Sequence, residues 1–159
     1  MTIFELGALG EFIGAIAVVI TLIYLAIQIR QNTNSMNESR KVILAQTRNE
    51  MARGVQEICV SVSQSMQLAD VVNRSIRREK LTPTEAIMYF SRNEACFRNW
   101  ENAHYQYRQG MYDEEEFSAV LETIRALITL DPGMKVFWGH YKSWFSPKFA
   151  EEIDKLAIN

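Results

Sequence analysis

Cysteine is scarce. Cys59 and Cys96 are the only two in a chain of 159 residues. Two thiols cannot build a disulfide framework or a four-cysteine zinc site. Glycine and proline number seven and three, which excludes a collagen-like or low-complexity chain. Neither sign of charge is in excess: 17 Lys and Arg stand against 19 Asp and Glu, a formal net charge of -2. That balance gives no electrostatic reason to invoke nucleic acid as a partner. No phosphate-cradling Gly loop, Gly-x-Ser-x-Gly elbow, kinase signature or zinc-ligand spacing occurs. No stretch alternates apolar and polar residues persistently enough to demand a strand. What is present, 48% hydrophobic and 23% charged residues, suits one globular domain and excludes wholesale disorder.

The apolar residues are not spread evenly. From Phe12 to Ile27 there is no charged side chain, and from Leu6 to Ile29 the only charge is Glu11. A helix over that stretch is about 36 Å long, enough to cross a hydrocarbon core of about 30 Å. Apolar on every side, it would need a large protein around it to be buried in solution. A cleaved signal peptide would need a basic leader and a small-x-small cleavage site. Here the acids Glu5 and Glu11 precede the run, no Lys or Arg does, and the segment closes on Tyr24-Leu25-Ala26-Ile27-Gln28-Ile29-Arg30. The segment therefore reads as a transmembrane helix. Arg30, Arg40, Lys41 and Arg48 follow it, so the positive-inside rule places the C-terminal part in the cytoplasm and the N-terminus outside. The simplest host is a bacterial inner (cytoplasmic) membrane, where Cys59 and Cys96 face a reducing compartment as packing residues.

Within this span Gly7, Gly10, Gly14, Ala17, Thr21, Tyr24 and Gln28 recur at alternating spacings of three and four. This is the seam of a left-handed coiled coil built from small and polar residues, which let helix backbones approach closely. Phe12, Ile16, Val19, Ile23 and Ile27 occupy the other faces and suit lipid. Glu11, beside the seam, reads as a carboxylate reaching the headgroups; lining a pore or pairing with a partner's Arg is the sharper alternative.

The remainder divides at helix starts. Thr82-Pro83, Asp131-Pro132 and Ser146-Pro147 each place Pro at a first helical position after a capping residue. Thr82 with Glu85, and Asp113 with Glu116, have capping-box spacing, while Gly110 suits a left-handed helix end. The pattern predicts helices over 34–65, either continuing the span or restarting at Ser35 with Glu38, then over 68–78, 83–109, 114–129, 132–144 and 147–157. Candidate core residues include Ile87, Phe90, Cys96, Phe97, Trp100 and Tyr107, then Phe117, Val120, Leu121, Ile124, Leu127 and Ile128. Val136, Phe137, Tyr141, Trp144, Phe145, Phe149, Ile153 and Leu156 follow. Arg30 to Lys80 holds nine bases and five acids, whereas Leu81 to Asn159 holds eight bases and twelve acids. Anionic lipid favours the basic half near the membrane. The acids of the 113–116 run belong in the first turn of a helix.

The densest polar stretch runs from Arg98 to Arg108. Glu101 and His104 form one half of the Glu-x-x-His arrangement used by di-iron bundles. The other histidine, His140, has Phe137 three positions earlier, so the second half is missing and no metal or cofactor is expected. Arg98, Glu101, Asn102, Tyr105 and Arg108 contain pairs at three- and four-residue spacing and are expected to form a polar network that fixes helix register. No catalytic residue is assigned and the chain is not expected to be an enzyme. The aromatic run Phe137 to Phe145 reads as core, with one face available to a partner.

Several of these segments together resemble a group of small, uncharacterised bacterial single-span membrane proteins with a cytosolic helical domain. They are Ile23 to Thr33, with Gln28-Ile29-Arg30-Gln31-Asn32-Thr33 the most specific part; Phe97 to Gly110, with Glu101-Asn102, Tyr105 and Arg108; Asp113-Glu114-Glu115; and Phe145-Ser146-Pro147. The resemblance implies the topology and no activity. The expectation is thus an all-α chain: one N-terminal transmembrane helix (1–33) followed by a cytosolic helical bundle (34–159). Its expected role is as an assembly or accessory protein, with the bilayer, a second copy or a larger membrane complex as partner. A small homo-oligomeric channel or pore is the alternative.

Overall fold

The computed structural model describes residues 3–157, apart from the side chains of Glu5 and Ala157. Among the described residues the chain is entirely helical. Helix α1 covers Ile3–Gln64, α2 Met66–Ile76, α3 Pro83–Arg108, α4 Glu114–Leu130, α5 Pro132–Tyr141 and α6 Pro147–Ala157, with a single 3-10 turn at Lys142–Trp144. The residues fall into two compact units, one ending at Ile43 and the other beginning at Leu44.

The first unit consists of the α1 residues up to Ile43. It contains a window of 18 residues with mean hydropathy 2.5, none of it buried, long and apolar enough to cross a membrane. No Gly or Pro occurs between Gly14 and Gly54, so nothing in the backbone chemistry interrupts the helix there. Ser35 therefore lies inside α1, and the alternative restart at that position does not occur.

The second unit comprises the α1 residues from Leu44 onward and α2 to α6. Its helices begin where the capping chemistry is strongest. Thr82 and Glu85 form a reciprocal capping box: the Glu85 amide donates to Thr82 Oγ1 at 3.4 Å and the Thr82 amide donates to Glu85 Oε2 at 2.7 Å. Arg74 completes the corner by donating to Glu85 Oε1 and to the Lys80 carbonyl, each at 2.6 Å. The Glu85 carboxyl is held below its usual range, first by the Thr82 backbone bond and then by Thr82 Oγ1 and Arg74. Asp113 caps α4 by accepting from the Glu116 amide at 2.8 Å. Gly110 closes the turn after α3 at φ +68, a conformation that favours glycine.

The bounds of α2, which ends at Ile76 rather than 78, and the end of α5 differ from expectation. Helix α2 starts at Met66 rather than near Leu68, because the Ser65 hydroxyl accepts the Leu68 amide at 3.1 Å. Just upstream, the Ser61 and Ser63 hydroxyls donate to the Ile58 and Val60 carbonyls, local bonds that compete with the ladder where α1 ends. Helix α5 stops at Tyr141 and tightens into the 3-10 turn, whose end is marked by the Phe145 amide donating to the Lys142 carbonyl at 3.2 Å.

The core is centred on Phe97 of α3. Its ring stacks on Phe137 and Trp138 at centroid distances of 5.3 and 5.0 Å and meets Trp100 edge-on at 5.0 Å. Ile124, Ile128, Met134, Phe145, Phe149 and Ile153 enclose this centre, bringing α3, α4, α5 and α6 to one apolar cluster. Three residues expected in the core lie outside it: Ile87 is 67% exposed, Val136 60% and Trp144 52%. Ile87 and Val136 continue the helical spacing onto faces left exposed among the described residues. The expected packing role of Cys59 is likewise corrected, since that thiol is exposed whereas Cys96 is buried.

Candidate functional site

The residues expected to act through α1 all lie in its first unit. Gly7, Gly10, Gly14, Ala17, Thr21, Tyr24 and Gln28 are exposed along the helix. A Cβ built on Gly7, Gly10 or Gly14 meets no atom within 4 Å, so this face is open to a neighbour. The Thr21 hydroxyl is already engaged, donating to the Ala17 carbonyl at 2.8 Å.

The polar stretch of α3 divides. Arg98 pairs with Glu101 at 3.0 Å, as their three-residue spacing allows. Both then reach the segment leading into α6: Arg98 Nη1 donates to the Trp144 carbonyl at 3.3 Å, and Glu101 Oε1 accepts the Ser146 amide at 2.7 Å. Arg98 also lies 4.5 Å above the Phe145 ring. Asn102 turns instead toward Met51 of α1, its amide 3.9 Å from the sulfur. Among the described residues, Tyr105 and Arg108 make no side-chain hydrogen bond to this group, and Tyr105 is exposed. The expected five-member network is thus a two-member anchor for the α6 start.

His104 is buried between Phe117 and Phe149, 5.8 Å from each ring centroid. Burial lowers its pKa below the usual histidine value, and Arg108 adds to this against Glu152 and Glu101. An unfolded imidazole takes up its proton first as pH falls through about 6.5. The stability associated with neutral His104 is therefore present above that pH and lost as pH falls toward the depressed folded value. Thermal unfolding of the full chain between pH 7.5 and 5.5 should show a falling midpoint, and His104→Leu should flatten that slope. An unchanged slope in the variant would assign it to other groups. Among the described residues, no three His, Cys, Asp or Glu side chains come together as a metal site.

A different polar cluster, not singled out by sequence reasoning, is enclosed between α2, α3 and α5. Asp131 is 2% exposed. It caps α5 through the Gly133 amide at 3.1 Å, and the same oxygen accepts Tyr89 Oη at 2.7 Å and Ser75 Oγ at 3.2 Å. Its other oxygen lies 3.6 Å from Arg92, which donates to fully buried Asn93 at 2.8 Å. Burial, together with the bond to Asp131, raises the Tyr89 pKa to about 12, so the phenol remains a donor. A Cβ on Gly133 would overlap the Tyr89 and Ser75 hydroxyls, so only glycine admits this approach. Asp131 Oδ1 thus ties α2, α3 and α5 to one acceptor, while among the described residues Asp131 Oδ2, Arg92 Nε and Asn93 Nδ2 are buried without a hydrogen-bond partner. A second such link joins α5 to α6: Asp154 accepts Trp138 Nε1 at 2.8 Å and Lys142 Nζ at 2.9 Å, which holds its carboxyl below the usual range.

Among the described residues, the second unit carries an open groove of about 370 Å³ between α1, α3 and α4. It exists because Ala52, Ala103 and Ala119 line it from the three helices and leave space where larger side chains would meet. Trp100 and Met51 add apolar wall. At one end Arg48 pairs with Glu116 at 2.8 Å beside Tyr112. Gly54 of α1 leaves room for the Asn99 side chain on the α3 wall, since a Cβ there would lie 2.8 Å from its amide nitrogen.

No family model, curated protein or solved structure matches this chain.

Proposed function

We propose that this chain is a single-pass membrane protein acting as an assembly or accessory subunit, without catalytic activity of its own. In this reading α1 spans a bacterial inner membrane near its N-terminus, with that end outside and the helical domain in the cytoplasm. The observation that carries it is the fully exposed apolar surface of α1 before Arg30, which water does not tolerate and lipid does. On that helix the open glycine face supplies the association surface, with a second copy as the favoured partner and a larger membrane complex as the other.

The test is association in the membrane. Gly10→Leu combined with Gly14→Leu should reduce crosslinking between differently tagged copies in native membranes by about tenfold, since each Leu separates backbones that glycine lets meet. Undiminished crosslinking, together with unchanged co-purifying membrane proteins, would remove the seam from the mechanism. Ion conductance in liposomes would support the pore reading in its place.

A further inference from the structure

We propose that the groove between α1, α3 and α4 receives a basic amphipathic helix of a partner protein. This goes beyond the proposed association through the glycine face of α1, and does not depend on whether α1 crosses a bilayer. All groove residues, including those of α1, belong to the second unit.

Shape supplies the first part of the case. The Ala52, Ala103 and Ala119 positions form a shallow apolar channel rather than a closed cavity, with Trp100 on its wall. Beyond Arg48, Tyr112 and Glu116, which border both, a second hollow of about 360 Å³ continues toward Leu44 and Gly110. Two adjoining hollows that share Arg48, Tyr112 and Glu116 suit an occupant that presents several apolar side chains in succession, as a helix does at positions i, i+3 or i+4, and i+7.

Charge supplies the second part. Asp113 and Glu116 line the continuation, with Glu114 and Glu115 exposed beside them. Among the residues that line the two hollows the cation is Arg48, and its guanidinium is already engaged with Glu116. The mouth is therefore net acidic, which favours Lys or Arg at the end of the incoming helix and repels a carboxylate or phosphate headgroup. With Arg48 and Glu116 paired, the α4-capping carboxylate of Asp113 is the uncompensated charge of the lining.

The experiment uses the full chain in neutral-lipid nanodiscs and a fluorescent Leu/Lys amphipathic helical peptide of about five turns. A Leu/Glu twin serves as the charge control. Binding above that to empty nanodiscs should weaken about tenfold when Ala119→Trp fills the groove, with Ala52→Trp as a second filling variant on another wall. Both positions are exposed, so circular dichroism should report unchanged helicity. Asp113→Asn with Glu116→Gln should weaken the Lys peptide severalfold, and the Glu twin should bind about tenfold more weakly to the wild type. Equal affinity for the two twins, or full affinity in both filling variants, overturns the proposal. So does a result in which dodecylamine, but not the peptide, loses binding on filling, because the groove is then a small-molecule site. Each of these outcomes is independent of the membrane association of α1.

Discussion

Asp131→Ala is expected to destabilise the helical domain by about 3–5 kcal/mol, the scale seen when one partner of a buried charge pair is removed. The substitution leaves Arg92, Tyr89 and Ser75 facing a gap, and it also removes the α5 cap. The loss is dominated by buried donors left without an acceptor rather than by the salt bridge itself. Asp131→Asn retains an oxygen for Tyr89 and for the cap, so a smaller loss of about 1–3 kcal/mol should follow. Gly133→Ala should act on the same node by a different route. Its methyl displaces the Tyr89 and Ser75 hydroxyls, and overpacking of about 1–3 kcal/mol outweighs the helix propensity gained. Chemical denaturation of the full chain, followed by the fluorescence of buried Trp100 and Trp138, measures each effect. An Asp131→Ala midpoint indistinguishable from wild type would show that the enclosed cluster does not set the stability of the domain.

How much of this was legible in the sequence depends on distance along the chain. Caps are local, so the starts of α3, α4 and α5 could be read from Thr82-Pro83 with Glu85, Asp113 with Glu116, and Asp131-Pro132. The Arg98–Glu101 pair was legible for the same reason, whereas its bonds to Trp144 and Ser146 span more than forty residues and were not. Asp131 was visible as a cap but not as the acceptor for Tyr89 and Ser75. The available signal was Gly133 in the first turn of α5, where alanine would favour the helix and only a close approach explains glycine. Periodicity identified an apolar stripe without saying how much of it is covered. Ile87, Val136 and Trp144 therefore looked like core and are exposed. The groove was illegible because Ala52, Ala103 and Ala119 are unremarkable until three helices place them together.

The largest effect of all is expected in the first unit. Replacing Val19 and Ile20 together by Lys should release the protein from the membrane fraction. Near the centre of a span each Lys costs about 2.5–3.5 kcal/mol on the insertion scale, so the pair costs roughly 6 kcal/mol. Neither residue belongs to the Gly7 to Gln28 seam, so a lost helix–helix contact cannot produce the result. Lys also has higher helix propensity than Val or Ile, so unfolding of α1 in water cannot produce it either. The wild-type chain should stay in the pellet after alkaline carbonate extraction, as should Val19→Leu with Ile20→Leu, while the double Lys variant should appear in the supernatant or as aggregate. If the wild type itself washes off at high pH, α1 is not integral. Its exposed apolar surface, from Leu6 to Ile29, would then require a protein partner along its whole length. That alternative makes a separable demand: α1 would be covered on every face, so the leucine substitutions at Gly10 and Gly14 and the lysine substitutions at Val19 and Ile20 would break the same complex. In the membrane reading they act apart, the leucines on association and the lysines on insertion.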